Sequence, residues 1–134
     1  MQHNLGIAYY NGEVCKKNDR LALAWFREAT RNGYSPSYQM AGDILYYGNI
    51  SKLPAQRAVE QNKLFALTQY LGAYQAGALF LQPHIEIVLN ELIEVDGFSQ
   101  ETLPKITFVK VSESDRDIIE EQYLKDQKER ELRH

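Results

Sequence analysis

A single cysteine, Cys15, is all the thiol that this 134-residue chain carries. No intramolecular disulfide can form, and a thiolate metal cluster is excluded. Charge of one sign is scarce as well. Fifteen lysines and arginines stand against eighteen aspartates and glutamates, for a net charge of -3, too mild to recommend nucleic acid or an anionic membrane as a partner. No apolar run approaches the ~18 to 20 residues that a membrane-spanning helix needs, so no membrane insertion is expected. No secretory leader is legible at the start either. Met1 stands almost on the first helical stretch, which also suits a fragment excised from a longer protein. The want of disulfides favours a cytoplasmic location, with a periplasmic one open if Met1 marks such a cut.

Catalytic patterns are missing too. There are three histidines, His3, His84 and His134. His84-x-Glu86 has the opening of a zinc-deaminase signature without the Cys-x-x-Cys that must follow, and at a helix start His84 reads as a surface residue. A paired-histidine zinc motif, a phosphate-cradling glycine loop and a Gly-x-Ser-x-Gly elbow are all absent. Lys16 and Lys17 could lower the pKa of Cys15, but a lone cysteine just past a turn reads more simply as an incidental surface thiol. With no nucleophile–base pair and no metal set, the expectation is no enzyme, no cofactor and no metal.

What the chain does have is a repeat. A shift of 36 residues lays Leu5-Gly6-Ile7-Ala8-Tyr9-Tyr10-Asn11-Gly12-Glu13-Val14 on Ala41-Gly42-Asp43-Ile44-Leu45-Tyr46-Tyr47-Gly48-Asn49-Ile50. A shift of 44 lays Asn18, Ala22, Phe26, Ala29 and Gly33 on Asn62, Ala66, Tyr70, Ala73 and Gly77. The eight extra residues fall around Ile50–Glu60, where Pro54 breaks the helical pattern. Each copy reads as a helix, a glycine turn and a second helix folding back. Gly6 and Gly42 lie inside helices at a cost of roughly 1 kcal/mol against alanine, which is tolerated where a neighbouring helix comes close. Asn18 precedes an apolar periodic run and suits an N-cap. Leu21, Ala22, Trp25, Phe26 and Ala29 recur at steps of three and four, the mark of a buried helix face. Leu5, Tyr9, Tyr70 and Tyr74 are assigned to packing.

The run Leu-Gly-x-x-Tyr-x-x-Gly-x-Val, then Ala-x-x-Trp-Phe-x-x-Ala, then Gly33, resembles the Sel-1-like repeat, a relative of the tetratricopeptide repeats. The resemblance implies an all-α, short right-handed superhelix, or solenoid, of about two helical hairpins. Repeat 1 spans 1–36 and repeat 2 spans 37–80. The second copy departs at Ala41, where leucine is usual, at Gln69, where a large aromatic is usual, and in its enlarged hairpin loop. Residues 82–97 then read as a closing half-repeat helix, with Pro83 in its first turn and Asp96-Gly97 ending it. The solenoid thus covers 1–97, and 98–134 is a C-terminal extension. Within it Phe98–Val111 reads as a packed connector, despite the β-rich Ile106-Thr107-Phe108-Val109-Lys110-Val111. Ser112-x-x-Asp115 opens a charged helix to about Arg133, whose second half is expected to be solvated or frayed. Residues 112–134 hold eight acidic and five basic side chains.

The resemblance implies a non-enzymatic adaptor that binds a protein or peptide. In stacked hairpins the first helices line a concave face. The residues expected there are His3, Ile7, Tyr10 and Asn11, then Gln39, Asp43, Tyr46 and Tyr47, then Asn90 and Glu91 of the closing helix. Two rival readings stand beside this one. An immunity-type protein would neutralise a toxin or effector through the acidic C-terminal helix. A structural protein would self-associate into a homo-oligomer through the closing helix.

Overall fold

The computed structural model describes residues 2–13, 16–50 and 52–133, the side chain of Arg133 excepted. Cys15 and His134 lie outside the described residues. The described residues are all-α, with six α-helices and no strand. It divides into two compact units, Met1–Ala76 and Gly77–His134.

The first unit holds α1 (Gln2–Asn11), α2 (Asp19–Arg31), α3 (Pro36–Tyr47) and α4 (Lys63–Gln75), each packed on the next. The two hairpins make matching bonds at Asn18 and Asn62. Asn18, at φ -143° and ψ 96°, caps α2 by accepting the Leu21 N–H at 3.0 Å. Asn62, at φ -144° and ψ 88°, caps α4 by accepting the Phe65 N–H at 3.0 Å. Each cap satisfies a donor that the first helical turn leaves orphaned. The main-chain N–H of the same two asparagines reaches back to the first helix of its hairpin, Asn18 to the Tyr9 carbonyl at 2.9 Å and Asn62 to the Leu45 carbonyl at 2.7 Å. Tyr9 and Leu45 are 36 residues apart and the asparagines 44, the same two shifts that align the sequence.

The cores also correspond. Ala22, Phe26 and Ala29 on α2 and Ala66, Tyr70 and Ala73 on α4 are all buried. A fully buried side chain of the size of Phe26 contributes about 1.5–3 kcal/mol relative to exposure. Gly6 meets the Phe26 ring and Gly42 the Tyr70 ring, so the glycines are there to let large aromatics onto the neighbouring helix. Leu5 departs from expectation. It is 38% exposed, whereas its counterpart Ala41 is fully buried. The reason is local: α3 is flanked by both α2 and α4, while α1 packs on α2.

The extra residues between α3 and α4 form a folded clasp. Turns close with Lys52 N–H and Leu53 N–H on the Asn49 carbonyl, and with Arg57 N–H and Ala58 N–H on the Pro54 carbonyl. Ala58 and Val59 are buried. The Arg57 carbonyl then accepts from Asp19 N–H at 2.9 Å and Arg20 N–H at 3.3 Å, two orphan donors at the start of α2. The insertion in the second hairpin thereby finishes a helix of the first.

The second unit begins with a 3-10 turn, Leu79–Leu81, and α5 (Gln82–Glu94), which has Pro83 in its first turn. A left-handed Gly97 (φ 75°) follows, and Phe98 N–H returns to the Leu92 carbonyl at 2.9 Å. After a second 3-10 turn, Gln100–Thr102, and the buried Leu103, residues 104–112 run without turn or bend. The Ser112 hydroxyl accepts the Asp115 N–H at 3.2 Å and opens α6 (Glu113–Arg133). The unit boundary at Ala76 groups α5 with this C-terminal segment and not with the hairpins. Two expectations are corrected here. His84 is 3% exposed instead of lying on the surface. The second half of α6 is not merely solvated: Arg130 is 1% exposed, with its Nε 3.2 Å from Oδ2 of the buried Asp126 one turn earlier. An arginine can bury its long stem only when its head keeps a charged partner.

Candidate functional site

The ten residues expected on a concave face are distributed unequally. Tyr10 is 2% exposed. Lys17 closes over it, with Nζ 3.9 Å from the ring centroid and donating to the Tyr10 carbonyl at 2.7 Å. Asp43 is wholly buried and accepts from the Tyr70 hydroxyl at 2.6 Å. Both side chains are therefore corrected from groove residues to interior ones. Helical spacing alone could not place them, because the face of α3 that carries Asp43 turns toward α4.

The remaining first-unit residues keep some surface. His3 is half-buried, its ring against Phe26 and Tyr34 with centroids 5.2 and 4.9 Å away and its Nδ1 2.7 Å from the Ser37 hydroxyl. Burial pushes its pKa below the ordinary histidine value. Ile7, Gln39, Tyr46 and Tyr47 are half-buried, and Asn11 is exposed with its amide donating to Glu13 at 3.2 Å. Tyr46 and Tyr47 meet edge to face at 5.0 Å. Tyr47 also borders a cleft of about 310 Å³ formed with Gly48, Asn49, Ile50, Glu60 and Gln61. Asn90, exposed, and Glu91, half-buried, lie on α5 in the second unit.

A polar cluster that the sequence did not announce lies at the start of α2. Asp19 is 3% exposed, and its carboxylate takes Lys17 Nζ at 2.8 Å and the Asn49 side-chain amide. Asn49 in turn accepts Val59 N–H at 3.0 Å, and the Arg57 guanidinium donates to the Lys17 carbonyl at 3.1 Å. A carboxylate this deep needs such partners to offset its desolvation. Their residues come from both hairpins, so the cluster is a fastener between them. Its members are scattered from Lys17 to Val59, with no spacing that would betray them.

The second unit holds a larger cavity, about 720 Å³, within the range of ligand and peptide sites. Pro83 and Glu86 of α5 form one wall and Arg116, Ile119 and Tyr123 of α6 another. Four consecutive residues, Phe108, Val109, Lys110 and Val111, form the third. Elsewhere in this unit His84 is held near a pKa of about 3, by burial first and by the positive Arg130 second, so its imidazole is neutral at physiological pH.

Among the described residues no group of three or more histidines, cysteines or acids is placed to hold a metal ion, and no helix is long and apolar enough to cross a membrane. No protein-family model, curated protein or solved structure matches the chain.

Proposed function

We propose that the chain is a non-enzymatic protein-interaction module of Sel-1-like type. Its two hairpins would wind as the start of a right-handed solenoid and present one face of their first helices to a partner protein or peptide. The family reading rests on the residues alone: the glycine–aromatic pairs, the twin asparagine caps and the two shifts that relate them. The interaction face, after the loss of Tyr10 and Asp43 to the interior, comprises His3, Ile7 and Asn11 of α1 with Gln39, Tyr46 and Tyr47 of α3.

The observation that carries the reading is the Tyr46–Tyr47 pair at the end of α3. Two half-exposed tyrosines in edge-to-face contact beside a cleft offer large, rigid contact area with a polar rim, the composition of an interface anchor. The test is quantitative partner capture with the purified chain as bait and Tyr47→Ala and Asn11→Ala as variants. The helical circular dichroism should be unchanged and the captured partner reduced at least about tenfold, the loss of one hot-spot residue. Equal capture by wild type and variants would contradict the proposed face.

A further inference from the structure

We propose that the cavity of the second unit binds a short apolar peptide of two or three residues with both ends free, a zwitterion on an apolar body. The site lies within residues 82–123 and does not depend on the hairpin face. Room and lining come first. At about 720 Å³ the cavity has the size that takes a drug-sized ligand. Pro83, Phe108, Val111, Ile119 and Tyr123 border it, and all five are half-buried. The Tyr123 hydroxyl accepts from the Gln127 amide at 2.7 Å, which steadies the ring. Apolar side chains left half-covered around a cavity gain by further burial, in proportion to the area that a ligand removes from water.

The charges at the rim select the ends. Lys110 and Arg116 border the cavity as cations, Glu86 and Glu120 as anions. Glu86 already accepts from the Gln82 amide one turn earlier, at 3.3 Å. Lys110, Arg116 and Glu120 are exposed, and among the described residues none of the three is in an ion pair. Arg116 and Glu120 stand four residues apart on α6, the spacing at which opposite charges on a helix ordinarily meet, yet the two do not pair. Charges of both signs beside one apolar cavity are thus open to a ligand. A purely anionic amphiphile would set its charge beside Glu120, and a purely cationic one beside Lys110 and Arg116, so either meets a like charge. A neutral apolar body would draw water off all of them without return. A ligand carrying both signs answers the whole rim. The spacing then sets its length. Four helical residues advance about 6 Å, and an extended chain about 3.3–3.6 Å per residue. Two or three residues therefore hold a carboxylate and an ammonium apart by about the distance from Arg116 to Glu120, and the long side chains take up the rest.

The experiment is calorimetric titration of the full chain with trileucine at low salt, against its N-acetylated form, which has no ammonium, and its C-terminal amide, which has no carboxylate. Trileucine should bind saturably, one to one. Each capped form should bind at least about tenfold more weakly, the loss of one charge-assisted contact. Arg116→Gln should weaken trileucine to a similar extent and leave the amide unchanged, while Glu120→Gln should weaken trileucine and leave the acetylated form unchanged. Tyr47→Ala on the hairpin face should alter none of these affinities, so the two sites stand or fall separately. No saturation at millimolar trileucine overturns the proposal. So does equal binding of the acetylated form, which would mean an anionic ligand held by Lys110 and Arg116, or of the amide, which would mean a cationic one held by the acids. These comparisons among peptides need no variant to fold.

Discussion

Gly6 lies directly against the ring of Phe26: a methyl group added at Gly6 would stand 2.6 Å from Cε1 of that ring. Gly42 and Tyr70 repeat the contact, with the methyl 2.8 Å from Cε1. The two contacts are alike, and each depends on the absence of a side chain. Gly6→Ala and Gly42→Ala should therefore destabilise, even though alanine gains roughly 1 kcal/mol of helix propensity. Forcing the aromatic aside costs more, and a net loss of about 1–2 kcal/mol is expected in urea denaturation. Pairing Gly6→Ala with Phe26→Leu should cost less than the sum of the two single changes, since the smaller side chain yields the space.

The Asp19 cluster is predicted to act as a fastener between the hairpins. Asp19→Ala and Asn49→Ala should each lower stability by about 1–3 kcal/mol, because each leaves buried polar groups without their partner. A double-mutant cycle between them should show a coupling of at least about 0.5 kcal/mol. Additive losses would mean that the two side chains act independently.

Tyr70→Phe removes the donor to Asp43 and leaves the ring in place. A loss of about 1–2 kcal/mol is expected, with native circular dichroism retained. A variant as stable as wild type would show that the carboxylate does not draw on that hydroxyl.

His84 gives the second unit a defined response to acid. Its folded pKa, about 3, lies below the ordinary 6.5, so the unfolded chain takes up the proton first. Stability contributed by the neutral imidazole is complete above pH 6.5 and falls as the pH drops, by up to about 1.4 kcal/mol per pH unit. Between pH 6.5 and 5, where carboxylates have barely begun to titrate, denaturation midpoints should decline in the wild type. His84→Gln should flatten that decline, whatever its own effect on stability at neutral pH.

Much of the first unit was legible because its signals are local. Asn18 and Asn62 cap helices through bonds to residues three places on, and Gly6 and Gly42 stand out as costs that only close packing justifies. Phe26 and Tyr70 follow from helical spacing. The interior polar groups were not legible. Asp43 and Tyr10 sit at positions that the helical period allows to face outward, and only the packing of the next helix or the fold of Lys17 decides the matter. Arg130 and His84 were missed for the same reason. A charged helix with i,i+4 pairs looks solvated in sequence, and nothing local marks the one arginine that goes inside. The long loop was recognised as an insertion through Pro54, but its bond from Arg57 to the start of α2 spans nearly forty residues and has no sequence signature.

The central claim is that the α1–α2 and α3–α4 hairpins each turn on a glycine–aromatic crossing. Proton NMR tests it most directly, because an aromatic ring in van der Waals contact shifts the resonances of the protons above its face. The account predicts displaced Hα resonances for both Gly6 and Gly42, with cross-relaxation to Phe26 and Tyr70 respectively, abolished in turn by Phe26→Leu and Tyr70→Leu. Ordinary Hα shifts at either glycine in the folded protein, without cross-relaxation to its ring, would contradict it.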